Sequence, residues 1–141
     1  MSFLDRLRPS PRRNGAQRMF ASATLTTEAL VVFFAVLVAH QLSPESRVLN
    51  WNWGLFTSVA LIACSGMLSR GAWVYLAGII LQVPVILLGL EVPAMWVVGA
   101  GFAALYLYGV LKGHTLDQQK DAVDARWYAE HGDEDGAPPR G

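Results

Sequence analysis

The chain has 141 residues, 53% of them apolar and only 16% charged. It is short for more than one domain, and its charges lie almost wholly outside four apolar stretches, a separation that excludes an ordinary soluble fold. A formal net charge of zero gives no bulk attraction for nucleic acid, so no nucleic-acid partner is expected, and a single cysteine, Cys64, excludes an intrachain disulfide.

Residues 1–17 read as a basic, flexible cytoplasmic arm. Arg6, Arg8, Arg12 and Arg13 are interrupted by Pro9, Pro11, Asn14 and Gly15, which end any helix there. Phe3, Leu4 and Leu7 are placed to dip into the lipid interface, and the four arginines to contact anionic lipid. The plainer alternative is a solvated tail whose charges only set topology.

Residues 18–112 read as a transmembrane domain of four helices, at about 19–40, 51–69, 72–90 and 94–111. Each is about as long as a helix needs to cross a hydrocarbon slab ~30 Å thick at ~1.5 Å per residue. The fold class is therefore all-α, a polytopic membrane protein built as an antiparallel four-helix bundle. The first stretch is expected to be retained: it is too long for a cleavable signal, carries Glu28, and ends on Leu37 and Ala39 without a good small-residue pair. The loop from Gln41 to Asn50 leads into Trp51, Asn52 and Trp53, an aromatic group suited to a headgroup layer, with Trp73, Tyr75 and Trp96 extending such belts. Ser69-Arg70-Gly71 and Glu91-Val92-Pro93 are connections short enough to force antiparallel neighbours.

Residues 113–141 read as an acidic cytoplasmic tail, with a short helix over 115–129 resting on Leu116, Val123 and Trp127, and a disordered end over 132–141. Ten of the eleven basic residues, all but Arg47, fall on the side of the two termini. By the positive-inside rule both termini are expected in the cytoplasm.

Inside the slab, one face of the first helix carries Ala21, Thr24, Glu28, Val32, Ala35 and Ala39, and one face of the third carries Tyr75, Gly78, Gln82, Val85 and Gly89. Both stripes are small and polar, which allows close approach. Phe33, Phe34 and Leu37 suit lipid. Glu28 lies ten residues after Arg18 and Gln82 twelve after Arg70, so the two sit within about 3 Å of the same depth. The cost of a lone carboxylate in hydrocarbon predicts a neutral Glu28, donating to the Gln82 amide oxygen or to the Ile80 carbonyl that Pro84 leaves free. Glu28, Gln82, Thr24 and Tyr75 form the candidate intramembrane polar site. Its plain role is an interhelical clasp; its sharper role is a proton or cation site.

The remaining candidates are weaker. Gly99 with Ala103, and Ala100 with Ala104, mark packing more than ligand binding. Ser58, Ser65, Thr26 and Thr27 can bond their own helix backbone. Cys64 suits a small buried hydrophobe. His40, His114 and His131 are far apart and form no metal set, and no zinc, haem or iron–sulfur spacing is present, so no cofactor is expected. Nothing assembles a nucleophile, a base and an orienting group, so no enzyme is expected.

Residues 24–32, Thr-Leu-Thr-Thr-Glu-Ala-Leu-Val-Val, and 73–82, Trp-Val-Tyr-Leu-Ala-Gly-Ile-Ile-Leu-Gln, resemble the actinobacterial four-helix membrane family known as domain of unknown function 4233. The resemblance covers about residues 16–112. It implies an integral protein of the bacterial inner membrane without an assigned activity, whose gene often adjoins one for folylpolyglutamate synthase. Small multidrug resistance transporters are similar in architecture, with four short helices and a glutamate in the first, though their motifs differ. Two functions follow as expectations. One is a structural or partner-binding membrane component, acting as a homodimer or with another membrane protein; the other is a proton-coupled small transporter using Glu28.

Overall fold

A computed structural model describes residues 2–8, 15–42 and 44–131, and among them the chain forms helices and turns with no strand. Arg12, Arg13 and the end expected to be disordered, 132–141, lie outside the described residues. The helices are α1 (Phe3–Arg6), α2 (Ala16–Leu42), α3 (Arg47–Met67), α4 (Ala72–Leu87) and α5 (Ala94–His131). Short 3-10 turns at Pro44–Ser46, Leu68–Arg70 and Leu88–Leu90 extend or join them. Four helical segments, Ala16–Leu42, Pro44–Arg70, Ala72–Leu90 and Ala94–His131, are long and apolar enough to cross a membrane, as a multi-pass protein requires.

Two boundaries differ from the sequence reading. The second long helix, expected from residue 51, begins at Arg47, so Trp51, Asn52 and Trp53 stand about one turn inside α3 and not at its start. The larger difference is α5, which runs without a break through Lys112 to His131, 38 residues in all. The short surface helix expected over 115–129 is the far end of this same helix. Gln118, Gln119, Lys120, Ala122 and Ala125 are good helix formers, and one interior glycine, Gly113, costs only about 1 kcal/mol relative to alanine. At ~1.5 Å per residue α5 is about 57 Å long, nearly twice the slab, so its second half projects beyond it.

The four long helices form a ring in chain order. Along α2 and α3, Ser22 meets Ser65 at 2.8 Å, the Ser58 hydroxyl donates to the Ala29 carbonyl at 3.3 Å, and Trp51 Nε1 donates to His40 Nδ1 at 2.9 Å. The contacts therefore climb one helix as they descend the other. Between α3 and α4, Cys64 Sγ donates to the Val74 carbonyl at 3.3 Å and Trp53 Nε1 to the Pro84 carbonyl at 3.2 Å. Between α4 and α5, the Tyr106 hydroxyl donates to the Tyr75 carbonyl at 3.1 Å, and Gly99 lies so close that a Cβ there would sit 3.1 Å from Ile86 Cα. The ring closes where Gly109 and Gly113 of α5 receive Phe20 and Gln17 of α2. Ser58 and Ser65, which can bond their own helix backbone, bond across helices here. Each finds a carbonyl or hydroxyl of α2 within reach because the small residues around them let the helices approach.

Both stripes marked in the sequence are buried throughout, from Ala21 to Ala39 on α2 and from Tyr75 on α4 to Gly89 in the turn that follows it. Tyr75, 0% exposed, is a core residue and not part of an aromatic belt. Phe33, Phe34 and Leu37 face outward. On α5 only the Gly99 stripe turns inward; Ala100 and Ala104 are exposed. Gly71, with φ +151, makes the turn between α3 and α4 in a conformation that favours a residue without Cβ.

Of the arm read over residues 1–17, the described residues 2–8 form a capped helical turn. Ser2 N and Oγ donate to Asp5 Oδ2, and Asp5 N donates back to Ser2 Oγ, a capping box that opens α1 and holds the Asp5 carboxyl below the usual carboxylate range. Phe3 and Leu4 are exposed as expected, but Leu7 is 0% exposed and belongs to the core. Gln17 Nε2 donates to the Arg6 carbonyl at 2.9 Å, fastening α1 to the first turn of α2.

Candidate functional site

Glu28 lies twelve residues into α2 and Gln82 ten residues into α4, about 18 and 15 Å from the helix starts. Helical periodicity turns both side chains inward on stripes of small neighbours, and the helices start at the same end of the bundle. Gln82 Nε2 donates to Glu28 Oε2 at 2.9 Å, with a second, longer approach to the Gly78 carbonyl at 3.5 Å. This bond crosses the diagonal of the ring, from α2 to α4. Glu28 is 0% exposed and Gln82 4%. The donor is Gln82, the reverse of the expected direction, because its amide N–H groups point toward α2 with the Gly78 carbonyl alongside.

Glu28 Oε1 and Gln82 Oε1 are buried without a hydrogen-bond partner. A dry interior makes such acceptors costly, and a proton on the carboxyl would convert one of them into a donor. Thr24 donates to the Phe20 carbonyl of its own helix at 2.8 Å, so it shares the Glu28 face without joining the pair. Tyr75 lies two turns nearer the start of α4, fully buried and away from the pair. Of the four candidate residues, Glu28 and Gln82 come together, while Thr24 and Tyr75 line the same core elsewhere. Gly78 is the reason Tyr106 fits below the pair: a Cβ there would overlap the Tyr106 hydroxyl.

A second polar constellation, not foreseen from the sequence, occupies the end of the bundle where α2 begins. Asp117, 2% exposed, accepts from the backbone N–H of Ala16 at 2.7 Å and of Gln17 at 3.1 Å. These are orphan donors of the first turn of α2, and the carboxylate complements the positive end of that helix. The approach is possible because Gly113, one turn earlier on α5, lies directly against the Gln17 backbone. Gly109, Gly113 and Asp117 stand at i, i+4 and i+8 on one face of α5. That spacing was the available signal, hidden among the acids of an apparent tail.

The family model described as a protein of unknown function, DUF4233, matches residues 18–122. The chain belongs to this family. The DUF4233 match takes in Glu28 and Gln82, and it also runs past the fourth membrane span to include Gly113 and Asp117. The projecting half of α5 is thus partly DUF4233 sequence, where the resemblance read from the sequence stopped near residue 112. No curated protein and no solved structure matches the chain.

Proposed function

We propose that this DUF4233 protein is a non-enzymatic, multi-pass component of the bacterial inner membrane, with both termini cytoplasmic, serving a structural or partner-binding role as a homodimer or with another membrane protein. The observation that carries the proposal is the Glu28–Gln82 bond: a fully buried acid engaged at 2.9 Å by the helix diagonally opposite clasps the bundle. Interhelical bonds of this kind contribute about 0.6 to 2 kcal/mol. The orientation is supported by the basic residues at the end of the bundle where α2 begins, Arg6, Arg8, Arg18, Arg70 and Lys112, against Arg47 at the other. Arg6 is exposed there, available to anionic lipid, while Arg8 pairs with Asp5 at 3.6 Å.

A second reading rests on the unpartnered Glu28 Oε1 and Gln82 Oε1. Two free acceptors at mid-depth are suited to hold a proton, as a proton-coupled transporter requires, and a homodimer would supply the volume four helices lack. Purified protein in liposomes separates the two. Under the clasp, a pH gradient drives no uptake of a lipophilic cation, whereas transport predicts uptake by wild type that Glu28→Gln abolishes. Uptake lost in Glu28→Gln with its fold intact overturns the purely structural role.

A further inference from the structure

Beside the docked α1, a cavity of about 380 Å³ is lined by Arg6, Tyr108, Leu111, Lys112, His114, Thr115 and Gln118. None of these seven side chains is acidic. Among the described residues neither Arg6 nor Lys112 has a carboxylate partner, and two acids close to them in sequence are committed elsewhere: Asp5 to Ser2 and, at 3.6 Å, to Arg8, and Asp117 to the N–H groups of Ala16 and Gln17. His114 Nε2 is buried without a hydrogen-bond partner. The position of Arg6 is fixed by its neighbours, since Leu7 is in the core and the Arg6 carbonyl accepts from Gln17.

Depth indicates what such a cavity meets. Counted from Ala94, the ~20 residues that cross a slab end near Gly113. Tyr108 and Leu111 then lie at the edge of the hydrocarbon, with Lys112, His114, Thr115 and Gln118 at headgroup level, an arrangement of apolar wall below and cationic rim above. We propose that this cavity binds a phosphate group carried by an anionic membrane lipid, with Arg6 and Lys112 contacting the phosphate, His114 and Gln118 supplying further N–H donors, and the acyl chains running along Tyr108 and Leu111. The site is independent of the Glu28–Gln82 pair and differs from diffuse attraction by the arm, because it assigns binding to Arg6 with Lys112 and not to Arg8.

The full chain in neutral detergent tests this by titration with phosphatidylglycerol, phosphatidylcholine and inorganic phosphate, read as thermal shift and by native mass spectrometry. Wild type is expected to prefer phosphatidylglycerol over phosphatidylcholine. The Arg6→Gln, Lys112→Gln double variant loses about 25-fold in that affinity, from two cations at about fivefold each. Arg8→Gln leaves it unchanged, and Arg6→Lys with Lys112→Arg retains it, which guards against a folding artefact. Inorganic phosphate binding with the same dependence on Arg6 and Lys112 keeps the phosphate chemistry and assigns the source to a soluble phosphate. Equal binding of both lipids, an unaffected double variant, or equal weakening by Arg8→Gln overturns the proposal.

Discussion

Asp117→Ala removes a carboxylate that is 2% exposed and holds two backbone N–H groups of the first turn of α2, at 2.7 and 3.1 Å. Loss of a helix cap costs about 0.5 to 2 kcal/mol, and loss of a partly buried charge at a helix end adds up to about 2 kcal/mol. The two terms overlap, so the expected destabilisation is about 1 to 3 kcal/mol, with the unsatisfied donors of a buried helix start setting the upper part of the range. Asp117→Asn keeps the size and one acceptor oxygen while removing the charge, and is expected to lose about half as much, roughly 0.5 to 1.5 kcal/mol. Reversible unfolding in mixed micelles measures the global effect, and amide exchange at Ala16 and Gln17 locates it. An Asp117→Ala variant within about 0.5 kcal/mol of wild type, the range of ordinary surface changes, with unchanged exchange at those two amides, would refute the capping argument.

Other substitutions test the packing. Gly113→Ala places a Cβ over the Gln17 backbone and is expected to cost about 1 to 3 kcal/mol, while Gly101→Ala, which meets nothing within 4 Å, is neutral or mildly stabilising; equal effects in unfolding titrations would contradict the docking of α5 on α2. Leu7→Ala should destabilise by about 2 to 5 kcal/mol, whereas truncation of exposed Leu4 should not, and equal loss would return the start of the chain to a flexible arm. Gly78→Ala displaces the Tyr106 hydroxyl from the Tyr75 carbonyl and is expected to lower the melting temperature in detergent; an unchanged value would show that the α4–α5 contact does not depend on that glycine.

The four spans were legible because lipid demands long apolar runs, and the Glu28 and Gln82 faces because helical spacing and equal depth are both arithmetic on the sequence. What the sequence hid was long-range. Asp117 meets Ala16 across 101 residues of chain, and its neighbours Asp121 and Asp124 make it look like one more solvated acid. Leu7 is short of any periodic run, so nothing local distinguishes a core leucine from one at the interface. Ser58 and Ser65 have two satisfactory choices, their own backbone or a neighbour, and only the distance between α2 and α3 decides. The end of the fourth helix was misplaced at Leu111 because the change in polarity there marks the edge of the slab, which a helix ignores when its residues continue to favour helix.

The most direct test of the bundle as a clasped unit is a double-mutant cycle between Glu28→Met and Gln82→Met, which keep side-chain length while removing the polar groups. Unfolding in mixed micelles should give a coupling energy of about 0.6 to 2 kcal/mol between the two positions. Effects that add to within about 0.3 kcal/mol would show that the two side chains do not hold each other, and would contradict the account.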